Sequence, residues 1–92
     1  MTSVKIFIYG KVQGVAFRYH IKELANTLGV SGWVRNRVDG SVELFLQGEI
    51  HLVNQLIDWC HKGPAEALVG KIDISHSSAE SDLSGFVVRA TC

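Results

Sequence analysis

Val30-Ser31-Gly32-Trp33-Val34-Arg35-Asn36-Arg37-Val38-Asp39-Gly40-Ser41-Val42-Glu43-Leu44-Phe45-Leu46 is the stretch on which the fold turns. Val30, Gly32, Val34 and Asn36 share one phase of a period-two pattern, and Val42, Leu44 and Leu46 share one phase of another, so two strands are expected. Asp39-Gly40 between them marks a hairpin, because glycine takes up a positive φ there without steric cost. On either side of the hairpin the apolar spacing becomes helical. Upstream, Phe17, Ile21, Leu24, Ala25 and Leu28 line one face, with Gly29 placed for a left-handed cap. Downstream, Gly48-Glu49 leads into Val53, Leu56, Ile57 and Cys60, and Gly63-Pro64 stops the helix.

Further out the pattern is again strand. Val4, Ile6 and Ile8 alternate with Lys5, Phe7 and Tyr9 up to Gly10, and Val69 to Ile74 mirrors them on the other side. Ser75 to Gly85, rich in serine and acidic residues, is expected to be an exposed loop, and Phe86 to Thr91 a last strand. The order strand, helix, strand, strand, helix, strand is the split β-α-β arrangement, to which a C-terminal strand is added. It predicts an α+β ferredoxin-like sandwich: an antiparallel-rich sheet with both helices on one face, as a single domain over residues 1–92.

Of the 92 residues, 47% are hydrophobic, enough for one core, and nine basic residues balance nine acidic ones. That balance leaves no general field to attract a nucleic acid or an anionic membrane, so any anion site must be local. The two cysteines, Cys60 and Cys92, belong to no CxxC pair, and His20, His51, His61 and His76 lack ligand spacing. No metal site or cofactor is expected. Cys60 and Cys92 could meet as a terminal disulfide, but the favoured reading is a half-buried Cys60 thiol and a free tail thiol at Cys92, which suits a reducing compartment, and the first strand begins almost at Met1 with no long apolar run. The expectation is a cytoplasmic monomer with no membrane partner. Trp33 and Trp59 read as packing aromatics, without the basic surroundings of a nucleic-acid platform.

Strands joined by a crossover helix run parallel, so the loop after the first strand and the end of the second lie at the same sheet edge. The loop is Gly10-Lys11-Val12-Gln13-Gly14-Val15-Ala16, at a helix N-terminus whose free N–H groups and positive dipole end suit an anion. Arg18 falls in the first turn, where a cation opposes the dipole by about 0.3–1 kcal/mol and a bound phosphate would reverse that penalty. Its planar fork suits two phosphate oxygens. Asn36, in the phase Val30 and Val34 use for the core, is out of character for a strand and needs a partner such as a water or a phosphoryl oxygen. Each feature alone has an ordinary alternative: a turn, a solvated arginine, a hairpin-capping asparagine.

Together they resemble the acylphosphatase family. The strings Gly10-Lys11-Val12-Gln13-Gly14-Val15-Ala16-Phe17-Arg18 and Gly29 through Glu43 match its motifs nearly throughout, and Gly63-Pro64 agrees. Val38, where bacterial members often carry proline, and the tail Arg89-Ala90-Thr91-Cys92, where an aromatic is common, depart from it. The resemblance implies a metal-independent acylphosphate phosphohydrolase acting on a small-molecule acyl phosphate, with inorganic phosphate or sulfate as a product-like ligand. It further implies that Gln13, Gly14, Val15, Ala16, Phe17 and Arg18 cradle the phosphate, and that Arg18 and Asn36 are catalytic, Asn36 orienting the water. The rival expectation is a non-catalytic anion-binding or regulatory module, since this sandwich serves many functions.

Overall fold

The computed structural model describes residues Met1–Cys92. Its elements are β1 (Thr2–Lys11), α1 (Phe17–Leu28), β2 (Ser31–Asn36), β3 (Val42–Gly48), α2 (Ile50–Lys62), β4 (Leu68–His76) and β5 (Phe86–Val88). The strands form one sheet in the order β4-β1-β3-β2-β5, as the ferredoxin-like pattern requires. β3 is antiparallel to both β1 and β2, so those two run the same way and end at one edge. No helix is long and apolar enough to cross a membrane.

The alternating residues settle which face is covered. Ile6, Ile8, Val34, Val42, Leu44 and Leu46 point under the helices and are buried against Phe17, Ile21 and Ala25 of α1 and Val53, Leu56 and Cys60 of α2. Each such aliphatic side chain contributes about 1.5–3 kcal/mol by leaving water. α1 ends at Gly29, whose left-handed φ of 75° is the expected cap, and α2 starts at Glu49, whose carboxylate accepts from the amides of His51 and Leu52. The Asp39-Gly40 hairpin has a longer loop than a two-residue turn. Gly40 N–H donates to the Arg37 carbonyl and Arg37 N–H to that of Ser41, a turn closed by a glycine bulge.

Three features differ from expectation. Ser75 and His76 belong to β4, because they pair with Lys5 and Val4. Cys60 is fully buried rather than half-buried, and burial pushes its thiol up to about 12. β5 stops at Val88 instead of Thr91. The tail still follows β2, with Arg89 N–H donating to the Val34 carbonyl and Cys92 N–H to that of Asn36. Three residues of tail thus span two of β2, and the extra one breaks the parallel ladder.

The sheet face away from the helices is roofed by charge. Trp33 and Phe45 stack there at 6.3 Å, and Lys5, Arg35 and Arg89 lie within 5.3 Å of the Trp33 ring. Glu43 anchors this layer, 2.8 Å from Arg35 Nε and 3.3 Å from Lys5 Nζ, with its side chain only 4% exposed. Burial raises the Glu43 pKa, but the hydrogen bonds and charges of Arg35 and Lys5 outweigh it and hold the carboxyl below its ordinary value. A depressed folded-state pKa contributes stability above the unfolded value near 4.5, lost as pH falls through the folded one. Glu43→Gln is therefore expected to cost about 1–3 kcal/mol at pH 7, the difference shrinking in acid. Urea unfolding of both proteins at pH 7 and pH 3 checks this; equal midpoints at pH 7 would deny the ion triad any net contribution.

Candidate functional site

β1 delivers the anion loop through a bulge between Tyr9 and Gly10. Gly10 has φ 127°, and a Cβ there would overlap the Leu68 carbonyl, so only glycine lets the chain turn off the sheet beside β4. Two residues of the loop then take left-handed backbone: Gly14, at φ 75°, and Ala16, at φ 62°. Ala16 is the only non-glycine residue with positive φ, a conformation that costs on the order of 1 kcal/mol or more. It occupies the N-cap of α1 and supplies no side-chain cap, and no carboxylate stands in the first turn. The amides of residues 13 to 16 donate to no protein acceptor, while those of Phe17 and Arg18 open the helix and have no carbonyl a turn earlier. A curled run of free N–H groups results, at the positive end of α1.

Asn36 ends β2 on the same edge. Its backbone pairs with Val42, and its carbonyl accepts from Cys92. The side-chain oxygen Oδ1 is buried and accepts no hydrogen bond. An unpaired buried carbonyl oxygen costs about 1–3 kcal/mol, so Asn36 stores an unmet acceptor at the rim of the sheet.

Gln13 joins the two segments. Its Nε2 donates to the carbonyls of Arg37, at 2.7 Å, and Ser41, at 2.9 Å, clasping the loop onto the β2–β3 turn. Its side chain is thus engaged with the turn, and only its backbone belongs to the curl. Sequence reasoning missed this role, which joins residues 24 and 28 positions apart and has no local signature. Gln13→Ala is expected to cost about 1–2 kcal/mol of stability and to weaken phosphate binding more than that loss explains, because the loop is freed relative to Asn36. Parallel urea melts and phosphate titrations measure both; an unaltered phosphate affinity would reduce the clasp to a scaffold contact.

A cleft of about 330 Å³ lies where these parts meet, lined by Val12, Gln13, Gly14, Ala16, Phe17, Arg18, Tyr19, Lys22, Asn36 and Val88. Six of the seven expected site residues line it; Val15 instead turns into the core, where it is 7% exposed. Val12, Tyr19, Lys22 and Val88 are additional. Their helical spacing from Arg18 could have pointed to Lys22, but the position of Val88 depends on the parallel β5–β2 pairing. No histidine, cysteine, aspartate or glutamate lines the cleft. The four histidines are exposed, and no three His, Cys, Asp or Glu side chains come together as a metal site. Cys60 is buried and Cys92 exposed, both as free thiols.

Fold and cleft define the class: a ferredoxin-like sandwich with a cationic cleft at one end of its sheet, built from main-chain amides, Arg18, Lys22 and the Asn36 side chain. The chain belongs to the acylphosphatase family, whose model matches residues 4–88. An acylphosphatase of Rubrobacter xylanophilus is 45% identical over 86 residues, covering 94% of this chain and 78% of the relative. Among solved structures, an acylphosphatase of Coxiella burnetii superposes with a TM-score of 0.90 at 38% identity, covering 96% of this chain and 92% of the other. That of Bacillus subtilis gives 0.91 at 29%, with 97% and 99% covered.

Proposed function

We propose that this protein hydrolyses acyl phosphates to a carboxylate and inorganic phosphate, with the loop from Gln13 to Arg18 holding the phosphoryl group and Asn36 orienting the attacking water. The observation that carries the reading is the convergence on one cleft of free loop amides, the Arg18 side chain and the Asn36 side chain. Membership of a family whose named relatives are acylphosphatases favours catalysis over a binding module.

The chemistry accounts for what the cleft lacks. An acyl phosphate expels a carboxylate, whose conjugate acid has a pKa of about 4, so the leaving group needs no proton. A cleft without histidine or carboxylate is then sufficient, because position and charge stabilisation do the work. Amides of residues 14 to 18 and the Arg18 fork bind the non-bridging oxygens and stabilise charge as it redistributes. The Asn36 side-chain amide holds a water with a lone pair directed at phosphorus, opposite the acyl oxygen. Its oxygen bonds to phosphorus, the bond from phosphorus to the acyl oxygen breaks with its electron pair leaving on the carboxylate, and a phosphoryl oxygen takes the water's proton. Free thiols suit the cytoplasm.

Phosphate release from benzoyl phosphate in excess EDTA, beside a phosphate monoester, tests the proposal. Hydrolysis of the anhydride alone is expected, since a monoester expels an alkoxide or phenoxide that needs acid assistance. A folded protein that binds phosphate but turns over neither substrate would make this a binding module.

A further inference from the structure

Resting on that reading, we propose that Lys22 is a specificity-determining residue that selects acyl phosphates whose acyl chain carries a second carboxylate. Arg18 and Lys22 are four residues apart on α1, so they stand on one helix face, about 6 Å apart along its axis. Both line the cleft and both are half-buried, yet neither side chain takes part in an ion pair or a hydrogen bond, and no carboxylate lines the cleft with them. The loop amides and Arg18 suffice for one phosphoryl group. Lys22 is then a second cation, one turn further from the loop, with no counter-charge from the protein.

The rest of the cleft fits the gap between two anions. Tyr19 and Val88 add carbon surface to the cleft wall, with the small part of Phe17 that is exposed, suited to methylene groups; their one polar atom is the uncharged Tyr19 hydroxyl, which leaves Lys22 as the cation for a second anion. An extended four-carbon acyl chain bound at the loop through its phosphoryl end reaches about one helical turn, bringing a terminal carboxylate to the Lys22 ammonium. A neutral acyl group of equal length would leave that ammonium half-desolvated beside a methyl group, so the same cation rejects the wrong chain as it holds the right one.

Succinyl phosphate and butyryl phosphate share a four-carbon chain and differ in a terminal carboxylate against a methyl. Their kcat/KM ratio, in wild type, Lys22→Gln and Lys22→Glu at low ionic strength with EDTA, reads the proposal directly. Wild type is expected to favour succinyl phosphate by about tenfold, mainly through KM, with a preference that falls as salt is added. Lys22→Gln should bring the ratio near one and Lys22→Glu below it; glutamine is a good helix former, so folding is not at issue. A ratio as high in Lys22→Gln as in wild type overturns the assignment. So does an equal loss on both substrates, which would place Lys22 on the phosphoryl group. A wild type inactive on butyryl and succinyl phosphate alike would instead sink the underlying hydrolase reading.

Discussion

Arg18→Ala is expected to lower kcat/KM for benzoyl phosphate by about a hundredfold or more while leaving the fold intact or slightly stabilised. The loss follows from removing a bidentate charged donor that strengthens as charge redistributes over the phosphoryl oxygens, an effect of about 10²–10³ where one preorganised donor is deleted. The gain in stability has a separate origin. Arg18 lies in the first turn of α1, where its charge opposes the dipole, and it has no carboxylate partner. Its removal should return about 0.3–1 kcal/mol at low salt. Steady-state kinetics and thermal melts on the same preparation measure both, and Arg18→Lys distinguishes charge from geometry, since a point charge cannot reproduce the fork. A folded Arg18→Ala protein with ordinary activity would remove arginine from the mechanism.

Asn36→Ala is expected to show the same divergence in sharper form. Activity should fall by about a hundredfold or more, chiefly in kcat, because the water loses the side-chain amide that aligns it while the phosphate loop is untouched. Stability should hold or rise by about 1 kcal/mol, since the substitution deletes a buried oxygen that the protein leaves unpaired. Single-turnover kinetics with saturating substrate, set beside urea midpoints, check this. A parallel loss of activity and stability would mean that Asn36 supports the strand end and nothing more.

Sequence patterning was informative wherever a feature is local. Alternation places Ile6, Ile8, Val34, Val42, Leu44 and Leu46 on the covered face, and Gly29 and Gly63 close the two helices where expected. Arg18 and Asn36 were legible for the opposite reason: each contradicts its local setting, a cation at the positive end of a helix and an amide in a core phase. The remainder depends on long-range geometry. The Gln13 clasp joins loop to turn through a side chain whose type is unremarkable in a loop. The left-handed Ala16 violates the preference of its own residue type, and the early end of β5 arises from a mismatch of one residue with β2, visible only once the strands are paired.

The sheet order has a consequence in time. β1 pairs on one side with β4, joining Val4 to His76, and on the other with β3, while the tail beyond β5 reaches back to Asn36. Contacts this distant along the chain must meet the entropy of closing large loops before any of them is rewarded, which places small mixed domains between the fast-folding helical bundles and the slow all-β folds. The cleft draws on the ends of β1 and β2 and on the Gln13 clasp between them, so it has no local precursor that could form early. Competence to bind therefore requires these long-range pairings to be in place, and a chain lacking them carries the residues of the site without the site.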